Sequence, residues 1–140
     1  DILDYIKSIL FHGTCKNEYI FIKSIYDGLD INDLAIASSP SKERKLETLK
    51  MGDAFRKVMN ESWGFYIPPN TAFPICVGKA GLYFKIPFDQ LIIFYLQSFT
   101  SNLINICVKH IPLGQKIGQD CVIESMVLIK DFLKKSKNYN

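Results

Sequence analysis

Apolar residues recur along most of this chain at intervals of three and four, the spacing that lines one face of a 3.6-residue helix. Ile2, Ile6, Ile9 and Leu10 form the first such set. Ile20 or Phe21, Ser24 and Ile25, after Thr14, form the second, so one long helix or two joined near Gly13 are predicted. Asp27-Gly28 closes that segment, and Asp30 with Asp33 offer acceptors for the N-terminus of a short helix through Ala37. Ser38-Ser39-Pro40 then leads into SKERKLETLKMGDAFRKVMN, where Leu46, Leu49, Phe55, Val58 and Met59 fall on one side. Ser39 fits the N-cap of this helix and Pro40 its first position. Gly52 inside it costs about 1 kcal/mol relative to Ala, which leaves two equal readings, close packing of a neighbour there or plain tolerance of a glycine.

The run SWGFYIPPN, residues 62–70, has no helical period and contains Pro68-Pro69; it reads as a loop dividing two helical halves. A helix from about Thr71 to Tyr83 follows, with Gly78 and Gly81 suited to close helix packing, and Pro87 starts a long helix to His110. In that helix Phe88, Leu91, Ile92, Tyr95, Phe99, Leu103 and Ile106 make an apolar stripe. Ser98, Asn102, Asn105 and Lys109 make a polar row on another face. Unpaired amides in a core cost a few kcal/mol, so Asn102 and Asn105 must meet partners inside the fold, water or another protein.

Lys109 and His110 suit the negative end of the long helix, Pro112 stops it, and Gly114 permits a turn into the last helix. Gln115 and Gln119 are one turn apart at the start of that helix, with Gly118 leaving room for an approaching backbone. Val122, Met126, Ile129 and Leu133 form its expected buried stripe. No period-two alternation bounded by hairpin turns competes with this pattern. The fold class predicted is all-α, a bundle of about five to seven helices forming one domain over residues 1–140.

A chain of 140 residues holds one ordinary core, and 48% apolar with 22% charged residues places it among globular proteins. The net charge of +3 comes almost wholly from lysine, since Arg44 and Arg56 are the only arginines. Arginine is the usual bidentate reader of phosphate and guanine, so nucleic acid is not an expected partner. Lys134, Lys135 and Lys137 read as a solvated helix end. The segment Ile86–Val108 is long enough to span a bilayer, but Asp89, Gln90, Gln97, Asn102 and Asn105 interrupt it; a buried bundle helix is expected, and no membrane partner. Cys15, Cys76, Cys107 and Cys121 form no CxxC pair, so free thiols in a reducing cytoplasm are expected. No signal peptide is visible, although a chain starting at Asp1 is expected to have lost its natural start.

No GxxxxGK[ST], HExxH, GxSxG or Gly-rich dinucleotide motif occurs. His12 and Cys15 are three apart and could hold a soft metal, but a chance neighbouring is the favoured reading, and no metal or cofactor is expected. The polar row and the glutamine corner therefore point to contact rather than catalysis. A small helical ligand-binding domain or enzyme, with the polar row facing an internal pocket, is the alternative. A helix-turn-helix regulator is disfavoured by the scarcity of arginine after the corner.

The stretch SNLINICVKHIPLGQKIGQ resembles the signature of the urease accessory protein UreF family, typically SNLVxxxVRLxPLGQTxGQ. Ser101, Asn102, Leu103, Val108, Pro112, Leu113, Gly114, Gln115, Gly118 and Gln119 fall on that pattern with its spacing. Upstream, ERKLETLKMG resembles the family's ELRxxxxxMG and FPICVGKAGLYFKIP its FPVALGxAAxxLGLP. Lys45 and Lys109 stand where the family often has Arg, and Lys116 where it often has Thr. The family's N-terminal FPxGxxxxSxGxE segment and its C-terminal tail have no counterpart here.

The resemblance implies an all-α, non-enzymatic chaperone that dimerises and bridges UreD (also called UreH) and the GTPase UreG on apo-urease during nickel insertion. It implies Lys109, Gln115 and Gln119 in a patch that meets a partner, and Asn102 as a structural or tunnel-lining polar group.

Overall fold

The computed structural model describes Asp4, residues 14–110 and residues 115–136, with side chains left undescribed at 14–15, 102–110 and 115–118. Among these residues there are six helices and no strand: α1 (Thr14–Tyr26), α2 (Asn32–Ala37), α3 (Lys42–Trp63), α4 (Phe73–Tyr83), α5 (Phe88–His110) and α6 (Gln115–Ser136). The architecture is the all-α one that the periodicity predicts. The apolar set from Ile2 to Leu10, His12 and the Pro-Gly corner at 111–114 lie outside the described residues. Of the described residues, 18–88 form one compact unit and the others form a second.

In the first unit α4 is the central element. Pro74, Ile75, Cys76, Gly78, Ala80 and Gly81 are all buried along it, so it meets neighbours on more than one side. Ile75 joins Ile25, Ala35 and Ala72, with Phe21, Ile31 and Ile36 packed around them. Cys76 and Ala80 join Met59 and Ile67, with Phe55 and Phe65 alongside. Small residues let the backbones approach: a Cβ at Gly78 would lie 3.1 Å from Ile25 Cβ. At Gly52 of α3 it would collide with the Thr71 carbonyl oxygen and lie 3.3 Å from the Phe73 nitrogen.

The N-terminus of α4 has no side-chain cap of its own, because Ala72 occupies the N-cap position. Two other helices supply the missing acceptors. Asn32 Oδ1 accepts from the Ala72 N–H at 2.8 Å, and Thr48 Oγ1 accepts from the Phe73 N–H at 3.1 Å. The Asn32 Nδ2 donates in turn to the Asn70 carbonyl at 3.0 Å, tying the loop before α4 to α2. Asp30 accepts from the Asn32 N–H at 3.1 Å and pairs with Lys79 at 2.9 Å.

The start of α3 differs from expectation. Ser41, not Ser39, is the N-cap: its hydroxyl accepts from the Arg44 N–H at 3.1 Å, and the helix begins at Lys42 with Pro40 outside it. Ser41 has the extended backbone an N-cap needs, and its hydroxyl reaches the third residue of the helix. Replacing Ser41 by Ala is expected to cost about 1 kcal/mol in urea unfolding, whereas Ser39→Ala should stay within about 0.5 kcal/mol.

In the second unit the buried row of α5 includes Ile92, Leu96 and Thr100, spaced by four, and that of α6 is Cys121, Ser125, Ile129, Phe132 and Ser136. Of the stripe expected on α6, Ile129 is buried, Val122 and Leu133 are half-buried, and Met126 is exposed. The buried hydroxyls are satisfied within their own helices. Ser125 donates to the Val122 carbonyl at 2.7 Å, Ser136 to Phe132 at 2.8 Å and Thr100 to Leu96 at 3.0 Å. A serine that donates to its own preceding turn can sit in an apolar interface at small cost.

Candidate partner-binding surface

Asn102 and Lys109 fall on α5, and Gln115 and Gln119 on α6. The side chains of Asn102, Lys109 and Gln115 lie outside the described residues; Gln119 is exposed. Gln119 heads the side of α6 opposite its buried row, with Ile123 and Val127 following one and two turns later.

A second exposed surface was not anticipated from the sequence. α3 ends at Gly64, whose φ of 65° reverses the chain while its N–H donates to the Asn60 carbonyl at 3.0 Å. α4 ends in a Schellman turn in which Lys85 takes the left-handed position with φ 56°. There the Ile86 N–H donates to the Gly81 carbonyl at 2.8 Å and the Lys85 N–H to Leu82 at 3.1 Å. Because α3 packs on α4, these two endings gather aromatic rings. Phe65 stacks on Tyr83 with centroids 4.3 Å apart, and Trp63 and Tyr83 each meet Phe84 edge-on, at 5.2 Å and 5.0 Å.

Trp63 is 60% exposed, Tyr66 63% and Tyr83 49%. Rings fixed by their neighbours yet open to solvent are characteristic of contact surfaces, where rigid aromatic side chains lose little entropy on binding. The sequence signal for this face lay in the aromatic density of WGFY and LYF beside two helix ends, without the 3.6 period that would assign them to a core.

The perturbed ionisations among the described residues belong to the fold. Asp30 is held below the usual carboxylate range, chiefly by its hydrogen bond from Lys79. Asp53 is lowered by hydrogen bonds from Lys57 and Arg56, and burial raises Tyr26, whose hydroxyl donates to the Ile86 carbonyl at 2.6 Å. Burial pushes the Cys76 thiol up to about 11. No group of three or more potential metal ligands gathers among the described residues. Of the His12 and Cys15 pair, neither side chain is among them. No described helix is long and apolar enough to cross a membrane.

No solved structure matches the chain. Among curated proteins, it is 33% identical over 124 residues to the urease accessory protein UreF of Ruegeria pomeroyi, covering 84% of this chain and 57% of that protein. It is 29% identical over 137 residues to the UreF of Roseobacter denitrificans, covering 94% of this chain and 61% of the other. With the UreF of Cereibacter sphaeroides strain ATCC 17025 it shares 30% identity over 135 residues, covering 94% and 64%. The chain thus spans between 57% and 64% of the length of these relatives. The relatives bear the name of an accessory protein and not of an enzyme. The UreF family model matches residues 1–126, which include the whole SNLINICVKHIPLGQKIGQ signature, and the chain belongs to the UreF family of urease accessory proteins.

Proposed function

We propose that this chain acts as a urease maturation chaperone, a single all-helical domain that bridges UreD (UreH) and the GTPase UreG on apo-urease so that nickel enters the urease active site. In this reading it works in the cytoplasm as a homodimer, binds no nucleic acid or membrane, and catalyses no reaction, the nucleotide chemistry belonging to UreG. Nickel is cargo of the assembly. The observation that carries the reading is the family match running through the glutamine corner, in a fold that leaves a fixed aromatic face open to solvent.

Lys109, Gln115 and Gln119 are assigned to the partner-contacting patch and Asn102 to a structural or tunnel-lining role. Gln119 is exposed, and an exposed amide contributes little to folding but a good deal to a desolvated contact. The double variant Gln115→Ala/Gln119→Ala is therefore expected to weaken co-purification with UreD and UreG at least about tenfold. Its melting temperature should stay within about 2 °C of the parent. Co-expression with urease and its other accessory proteins, followed by measurement of nickel per urease active site, tests the function itself. Equal nickel content with and without this chain would refute the chaperone reading, and a melting temperature lowered by about 10 °C in the double variant would make the glutamines fold residues.

A further inference from the structure

Lys85 occupies a position that glycine usually fills. It is the left-handed residue of the Schellman turn that ends α4, with φ 56°, and a side chain there costs stability that glycine would spare. The turn itself does not require a lysine, since its two hydrogen bonds are made by backbone groups. A residue held in that conformation at a cost to the fold calls for a use of its side chain.

Its place in the chain is beside the aromatic face. Lys85 follows Phe84 directly and is exposed. Phe84 meets Trp63 and Tyr83 at interplanar angles of 82° and 83°, and Phe65 stacks on Tyr83. The rings hold one another in place, so an incoming molecule meets a preformed surface. The charges of α3 do not compensate Lys85. Lys57 pairs with Asp53 at 3.1 Å, and Glu61, two residues before Trp63, lies about 200° round the helix from it. Among the described residues no carboxylate pairs with Lys85. The face thus combines open ring surface with an uncompensated positive charge.

We infer that this face docks a segment of another protein in which a carboxylate adjoins an aromatic or aliphatic side chain. The apolar group lies on Trp63 and Phe84, and the carboxylate meets the Lys85 ammonium. Charge decides the sign of the partner. Ring faces also attract cations, but Phe65 and Tyr83 cover one face of each other, and a second cation would meet the repulsion of Lys85. A carboxylate is attracted instead. Lys85 then selects the partner, and the rings supply the area that is buried. This surface is separate from the glutamine corner and goes beyond the chaperone reading.

Trp63 is the only tryptophan of the chain, so the full chain grown with 5-fluorotryptophan gives one fluorine resonance, which reports on this face. The probes are the peptides acetyl-GEFEFG-amide and acetyl-GKFKFG-amide. In low salt the acidic peptide is expected to shift the resonance with a dissociation constant of about 1 mM, and the basic one to bind at least about tenfold more weakly. Lys85→Glu should exchange the two preferences. Lys85→Gly should weaken the acidic peptide about threefold to fivefold while raising the melting temperature by about 2 to 4 °C, a split that a purely structural lysine would not produce. Equal binding of the two peptides, or tighter binding of the basic one, would overturn the inference. So would the absence of any shift up to about 10 mM peptide, or an acidic-peptide affinity unchanged in Lys85→Gly. These outcomes leave the chaperone reading untouched, because that reading is decided by the nickel content of urease.

Discussion

Replacing Gly52 by Ala is expected to destabilise the chain by about 3 kcal/mol, where the same change in an open helix interior would stabilise it by about 1 kcal/mol. The reversal follows from what the new methyl would meet. It would run into the Thr71 carbonyl oxygen, with the Thr71 carbonyl carbon and the Phe73 nitrogen each at 3.3 Å, and all three are backbone atoms with no rotamer to yield. Moving that backbone disturbs the acceptors that cap α4, the Asn32 bond to the Ala72 N–H and the Thr48 bond to the Phe73 N–H. Urea unfolding of Gly52→Ala tests this, with Ala54→Gly as the control. Ala54 is exposed two residues along the same helix, and there the glycine should cost only about 1 kcal/mol. A Gly52→Ala variant as stable as the parent would mean that α3 does not approach the loop before α4 so closely.

Gly78 on α4, held against Ile25, was legible in the sequence as a close-packing glycine, whereas at Gly52 close packing and plain tolerance were equal readings until the Thr71 backbone was seen against it. Helix order and most boundaries were readable too: Pro87 stands just before α5, and the aperiodic, proline-bearing loop falls between α3 and α4. The cap of α3 was not, because Ser39-Pro40 and Ser41 both carry start signals and only the backbone turn selects Ser41. The buried face of α6 was misplaced for a different reason. Its burial falls partly on Ser125 and Ser136, whose hydroxyls are satisfied by their own helix, so residue polarity hides which side faces inward.

The candidate surfaces show the same division. The glutamine corner was visible as a motif, since spacing alone sets Gln115 and Gln119 one turn apart. The aromatic face was not, because it depends on two chain reversals, at Gly64 and Lys85, and Lys85 is a residue that rarely adopts a left-handed backbone. Leu46 and Val58, expected on the buried side of α3, are 68% and 56% exposed. The hydrophobic period locates a helix face but does not say whether the protein's own core or another molecule covers it.

Raising the pH from 9 to 11 is expected to remove about 2 to 3 kcal/mol of stability through Cys76 alone. Its thiol is buried, 3.6 Å from the Thr71 carbonyl oxygen and 3.7 Å from that of Gly52, to which it donates weakly. Burial raises it from the ordinary 9.0 to about 11, against the smaller opposing pull of Lys79 and Arg56. Between those values the unfolded chain has released the proton and the folded chain still holds it. Stability is thus fully present below about pH 9 and is lost as the pH rises through 11. Tyr26, raised by its own burial, adds a change of the same sign, so the comparison that isolates Cys76 is with Cys76→Ala. That variant should be less stable at pH 7 because it leaves a cavity, yet its urea midpoint should fall less steeply between pH 9 and 11. Parallel curves for parent and variant would assign the alkaline loss elsewhere. A thiol covered in this way is out of reach of reagents in solution while the fold is closed. Alkylation of Cys76 at pH 8 should therefore proceed only at the rate at which α4 opens.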